Sequence, residues 1–142
     1  MSSGRRRSGV SFGALLAAVL TVAVDALYLY VIQGQEDTAV TDARVLFVAG
    51  CLAGAAVFAA VGAVIPDGIL RVVLLAAAGC AILAWAFLGA LSIGILLVLP
   101  TILTVRAAVR AVQAMGGEFS YGIAATAGFA ALAVVAIGVA NT

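Results

Sequence analysis

Five stretches of about 20 residues each consist almost entirely of apolar side chains, and they constrain the fold more than any other feature. They cover residues 12–32, 45–65, 69–91, 92–113 and 119–140. A helix of that length crosses the hydrocarbon core of a bilayer, and a helix satisfies its own backbone there. The composition also indicates a membrane protein, since 66% of the residues are hydrophobic and 9% are charged. In soluble domains, about 45–50% of the residues are apolar and about 25% are charged. The sequence predicts an all-α polytopic integral membrane bundle of five transmembrane helices, with the lipid bilayer as its surroundings.

The fourth stretch leaves two alternatives open. It is purely apolar only over residues 93–105, which make about 20 Å of helix. Arg106 and Arg110 follow on one helical face, and long cationic side chains at a helix end can extend to the lipid headgroups. We therefore expect residues 92–113 to cross, with a kink at Pro100 because proline removes one backbone hydrogen bond. The alternative is four spans plus a re-entrant or interfacial segment at 92–113.

The positions of the arginines predict the orientation. A cytoplasmic N-terminus leaves only Arg44 outside and puts six arginines inside, namely Arg5, Arg6, Arg7, Arg71, Arg106 and Arg110, as the positive-inside rule requires. We expect a multi-pass cell-membrane protein with a basic cytoplasmic segment at 1–11, a single transmembrane domain at 12–140 and an extracytoplasmic C-terminus. A signal peptide cleaved after Ala26 is the alternative, but the apolar run continues through Ile32 to full spanning length.

One carboxylate interrupts the first span. Asp25 at the centre of a membrane helix costs about 2.5–3.5 kcal/mol on insertion scales. Thr21, Asp25 and Tyr28 share one helical face, and the antiparallel third span places Trp85 at nearly the same depth. These four residues are the candidate proton- or cation-binding site. Trp85 is the expected hydrogen-bond donor to Asp25, and the further candidates are Tyr28, Thr101 and Thr104.

Three interpretations of Asp25 follow from this placement. The first is a neutral, protonated acid that is hydrogen-bonded to a neighbouring helix, because an apolar environment disfavours the charged form. The second is a proton- or cation-binding site, and the third is a carboxylate paired with a cation from a partner subunit. A short bundle with a membrane carboxylate in its first helix is similar in outline to small multidrug resistance transporters. That resemblance is carried by Asp25 alone, and it implies proton-coupled transport by an oligomer.

Small residues at helical spacing mark two packing faces. Gly50 and Gly54 form a GxxxG pair in the second span, with Gly62 on the same face. Ala124 and Gly128 are small residues with the same four-residue spacing in the last span. Small residues let helix backbones approach closely, which drives helix association in lipid. The faces predict either packing within the five-helix bundle or a homo-oligomer interface.

Catalytic and cofactor motifs are missing from the sequence. It contains no His and no Lys, no zinc-ligand spacing and no Gly-rich nucleotide-binding motif. Cys51 and Cys80 lie inside apolar runs at different depths, so we expect free thiols. A net charge of +1 gives no reason to expect a nucleic-acid partner.

These observations favour a small non-enzymatic membrane protein without a catalytic site, metal or cofactor. Its most probable role from the sequence is that of a structural or accessory subunit, in a homo-oligomer or a larger membrane complex. The alternative is a small oligomeric proton- or cation-coupled transporter or channel that uses Asp25.

Overall fold

The computed structural model describes residues 10–34, 42–89 and 94–141, and these form five long helices and one 3₁₀ turn. The elements are α1 (Phe12–Gln33), α2 (Ala43–Val64), α3 (Ile69–Leu88), a 3₁₀ turn (Gly94–Leu97), α4 (Val98–Met115) and α5 (Glu118–Asn141). With the 3₁₀ turn counted as part of the fourth, all five helices are long and apolar enough to cross a membrane. The predicted all-helical membrane bundle is confirmed. The basic segment with its arginine triplet at 5–7 lies outside the described residues.

The first four helices form a ring. Helix α1 packs on α2, α2 on α3, α3 on α4, and α4 returns to α1. Helix α5 lies outside this ring and packs mainly on α3. Only Ser120, Gly128 and Val135 are buried among its 24 residues, so most of α5 faces the surroundings of the bundle.

The start of α1 is tied to the end of α2. The Ser11 side chain caps α1 by accepting a hydrogen bond from the Ala14 amide at 3.4 Å, as N-cap serines commonly do. The Ser11 amide donates to the Ala63 carbonyl at 3.0 Å. Residues 66–68 then connect α2 to α3 without helical structure, which suits the Pro-Asp-Gly sequence there. At the end of α4, Gly116 adopts a left-handed conformation with φ of 57°, which glycine accepts without steric cost.

The fourth segment begins with a close backbone approach. The Gly94 amide donates to the Gly89 carbonyl at 2.6 Å, and a Cβ atom on Gly94 would overlap the backbone of Gly89 and the carbonyl of Ala86. Pro100 lies in the first turn of α4, where its missing amide has no acceptor within the α-helix. The kink at Pro100 stays a prediction; the helix geometry changes from 3₁₀ to α just before this proline, between Leu97 and Val98.

Helix α3 supplies the centre of the core. Leu75 and Ile82 are completely buried, the first in a cluster with residues of α1, α2 and α4 and the second in a cluster around Trp85. We call the end of the bundle where α1 and α3 begin the Arg71 end, and the opposite end the Trp85 end. The candidate site predicted around Asp25 belongs to the Trp85 end.

Candidate functional site

The predicted site residues lie on two helices of the ring. Thr21 is completely buried on α1, and Asp25 and Tyr28 are half-buried on the same helix. Trp85 is buried on α3, in one apolar cluster with Val24, the neighbour of Asp25. Helices α1 and α3 are opposite members of the ring and do not pack directly on each other, but Val24 and Trp85 belong to one core cluster.

Tyr28 and Trp85 line one cavity of about 190 Å³ at the Trp85 end. Residues from α2, from the end of α3 and from the 3₁₀ turn complete its wall: Val48, Leu52, Leu88, Gly89, Gly94 and Leu97. Asp25 is close enough to Tyr28 for the two side chains to interact electrostatically. The wall of the cavity is mostly apolar.

Two polar atoms of this region are buried without a hydrogen bond. Within the described part of the chain, Asp25 Oδ1 and Trp85 Nε1 have no hydrogen-bond partner. The expected donation from Trp85 to Asp25 is therefore not made. A buried polar group that lacks a partner costs about 1–3 kcal/mol. Asp25 Oδ1 is therefore a site at which a proton or a cation would be stabilised, whereas the Trp85 N–H would stabilise a hydrogen-bond acceptor.

The threonines that were candidate partners donate elsewhere. Thr21 Oγ1 donates to the Ala17 carbonyl at 2.8 Å, Thr101 Oγ1 to the Leu97 carbonyl at 2.7 Å, and Thr104 Oγ1 to the Pro100 carbonyl at 2.8 Å. Each bond runs back to a residue four positions earlier in the same helix, as is common for threonine in helices. The hydroxyl protons of these side chains are therefore not available to Asp25.

Trp85 is held in place by packing. The Phe47 ring meets it edge-on, with ring centroids 6.1 Å apart and an interplanar angle of 64°, an arrangement that aromatic pairs favour. The Phe47 ring also occupies the position that a Cβ atom on Gly138 of α5 would take. The indole is thus held by packing on Phe47 of α2, against which Gly138 of α5 lies, and it interacts with the neighbouring Cys51 thiol.

The small residues separate into two groups. Gly62 packs on Leu75, where an added Cβ would lie 3.0 Å from Leu75 Cγ. Gly128 packs on Cys80 of α3, at 2.6 Å from an added Cβ to Sγ, and Ala124 packs against the core cluster around Leu75. These three residues serve packing inside the chain.

Gly50 and Gly54 form the other group. An added Cβ on either residue would meet no atom within 4 Å. Gly54 lines a groove of about 460 Å³ between α2, α3 and α5, and Gly50 is exposed beside it. The groove wall is apolar and mostly small, and it includes Cys51, Ala55, Ala77, Ala81, Ala127, Ala130 and Ala131. Among the described residues, no other helix thus packs closely on the GxxxG pair.

One functional candidate was missed by sequence reasoning. Arg71 is buried, with 8% of its surface exposed, and it shares a cavity at the Arg71 end with Arg110. The sequence does indicate an ion pair here, because Asp67 and Arg71 are four residues apart and residues at that spacing lie on one helical face.

The two cysteines are free thiols, as expected. Across the described ranges, no group of three or more residues with metal-ligating side chains is present. No family model matches the chain, and neither the curated proteins nor the solved structures include a match.

Proposed function

We propose that this chain is a small, non-enzymatic structural subunit of the cell membrane that assembles with a second copy of itself. In the proposed orientation the N-terminus is cytoplasmic and the C-terminus extracytoplasmic, because this places six of the seven arginines inside. The five apolar helices support a multi-pass membrane protein. The observation that carries the proposal is the GxxxG pair of α2, where an added Cβ on Gly50 or Gly54 would meet none of the described residues within 4 Å.

A glycine inside a helix costs about 1 kcal/mol relative to alanine in water. At Gly62 that cost is offset by close packing on Leu75, but at Gly50 and Gly54 the chain itself provides no such contact. Between membrane helices, glycines four residues apart allow two backbones to approach and make many van der Waals contacts. Because a GxxxG face is self-complementary, a two-fold pair of α2 helices is the simplest occupant.

Disulfide trapping tests this assembly in native membranes. The variants carry Gly50→Cys or Gly54→Cys in a background in which Cys51 and Cys80 are replaced by Ala. The matched control is Ala26→Cys, because Ala26 is exposed on α1, seven residues from its end at Gln33, as Gly50 is seven residues from the start of α2 at Ala43. Mild oxidation should produce a covalent dimer from the α2 variants and none from the control.

Other crosslinking results would contradict assembly through α2. Equal crosslinking of all three variants would indicate random collision in the bilayer. Complete absence of a dimer, or trapping of Gly50→Cys only with a different protein, would contradict assembly with a second copy.

A second candidate function is supported by the carboxyl oxygen Asp25 Oδ1, which is buried without a hydrogen-bond partner among the described residues. In this alternative the chain is an oligomeric proton- or cation-coupled transporter, and Asp25 binds the transported or coupling ion. It requires that water reaches the Asp25 carboxyl through the neighbouring cavity, of about 190 Å³. Such a volume is large enough for several water molecules, each of which occupies about 30 Å³ in the liquid.

Infrared difference spectroscopy in nanodiscs distinguishes the two functions. The transporter predicts a carboxyl band that titrates between about pH 5 and 8, the range that burial can produce, and that is lost in Asp25→Asn. The structural role predicts a protonated carboxyl at every pH in that range, together with normal folding of Asp25→Asn.

A further inference from the structure

A polar cavity of about 510 Å³ lies at the Arg71 end of the bundle. Its wall combines the start of α1, the start of α3 and the last turns of α4: Val10, Ser11, Phe12, Gly13, Asp67, Arg71, Ala107, Arg110 and Ala111. Its volume falls within the range of small-molecule sites, about 300–1,000 Å³. It is at the opposite end of the bundle from Asp25 and does not include the α2 groove.

Arg71 brings a buried cationic donor to this cavity. One guanidinium nitrogen, Nη1, donates to Asp67 Oδ1 at 2.5 Å. A second nitrogen, Nε, is buried and has no hydrogen-bond partner among the residues the structure describes. An unsatisfied charged donor is costly, and the free edge of a guanidinium matches the geometry of phosphate oxygens.

The surrounding charges favour an anion. Arg71 and Arg110 outnumber Asp67 in the cavity wall, which leaves one positive charge in excess. The N-terminus of α1, a helix of 22 residues, opens into the same cavity through Phe12 and Gly13. The first amides of a helix have no acceptor within it, and together with the helix dipole they attract negative charge.

Apolar side chains beside the cavity indicate the source of the anion. Val10 and Phe12 line it and are 60% and 74% exposed. Because this end adjoins the first turns of membrane-spanning helices, these side chains lie where lipid acyl chains would contact them. A phosphate that carries acyl chains therefore fits the wall better than a free phosphate ion.

We propose that this cavity binds the phosphate of an anionic phospholipid from the adjacent leaflet. Arg71 Nε and the Arg110 guanidinium donate to the phosphate oxygens, and the amides at the start of α1 complete the site. Asp67 orients Arg71 by holding Nη1. The site lies on the α1, α3 and α4 side of the ring, so it depends on neither assembly through α2 nor ion binding at Asp25.

Thermal-shift titration of the purified full chain in dodecyl maltoside tests the site. The probes are dioleoylphosphatidylglycerol, dioleoylphosphatidylcholine and sodium phosphate. We expect saturable stabilisation by phosphatidylglycerol and little by the other two. Arg110→Gln should raise the apparent Kd for phosphatidylglycerol about tenfold, the effect of losing one charge-assisted hydrogen bond.

Arg106→Gln is the matched control. Arg106 lies one turn earlier on the same helix and is exposed like Arg110, but it does not line the cavity. Its substitution removes the same charge and should leave the Kd within about twofold of wild type, since exposed charges are largely screened. Arg71 is left intact because its loss would disturb a buried ion pair.

Three results would overturn the proposal. Equal weakening by Arg106→Gln and Arg110→Gln would show that the lipid responds to overall charge. Equal stabilisation by phosphatidylcholine would remove the requirement for an anionic headgroup. Equal stabilisation by millimolar sodium phosphate would contradict a lipid as the ligand.

Discussion

Two glycine-to-alanine substitutions in α2 separate packing inside the chain from packing outside it. Gly62→Ala places a Cβ 3.0 Å from both Cγ and Cδ2 of Leu75. Leu75 is completely buried and cannot move aside freely. Gly54→Ala places the same atom in open space, with nothing within 4 Å. The two positions are eight residues apart on one helix, so each is a control for the other.

Helix propensity and packing determine how much each substitution changes the free energy of unfolding. Both substitutions gain helix propensity, about 1 kcal/mol in water. Only Gly62→Ala incurs overpacking, which costs about 1–3 kcal/mol in a closely packed core. Because the propensity term is common to both, the difference between the two variants isolates the packing term. We expect Gly62→Ala to be less stable than Gly54→Ala by about 2 kcal/mol, within the range that overpacking gives.

Reversible unfolding by sodium dodecyl sulfate in mixed micelles measures this difference. It is carried out at a protein concentration low enough for the chain to be monomeric, so that assembly makes no contribution. Gly54→Ala should match or exceed the stability of wild type in this assay. Equal free energies of unfolding for the two variants would refute the argument that Gly62 is needed for packing on Leu75 and Gly54 is not.

Three further substitutions test other parts of the bundle by the same assay. Leu75→Ala should destabilise the chain by about 2–5 kcal/mol because it opens a cavity in the core, whereas Leu83→Ala on the same helix, half exposed, should have little effect. Trp85→Phe should stay within about 1 kcal/mol of wild type, since removal of an unpaired N–H offsets the lost volume; a loss above about 3 kcal/mol would indicate that the indole is hydrogen-bonded. Gly116→Ala should cost about 1 kcal/mol, because φ is 57° there, and no loss would show that the last turn of α4 relaxes.

The helices themselves were predictable from the sequence because lipid imposes a simple requirement on length and polarity. With the 3₁₀ turn counted as part of the fourth helix, the predicted spans and the observed helices agree to within three residues at each end. The start of the fourth helix was less predictable. Hydropathy cannot show that Gly94 and Gly89 approach closely and place the start of α4 just before Pro100.

The partners of the small and polar residues were less predictable. The sequence gives Gly50, Gly54 and Gly62 one shared face, and nothing in their spacing shows that only Gly62 meets another helix. Similarly, helix length predicts nearly the same depth for Asp25 and Trp85, but depth does not determine whether the N–H points at the carboxylate. Those outcomes depend on the rotation of each helix about its axis, which a single sequence of mostly apolar residues leaves open.

The position of α5 has a consequence for how the protein is made. Because α1 to α4 close a ring without it, the ring can be completed in the membrane while the last helix is still being synthesised. Helix α5 then docks on α3, which Gly128 contacts at Cys80, and on α2, which Gly138 contacts at Phe47. We expect the biogenesis of this protein to have two stages, with the docking of α5 as the late and most readily reversed step.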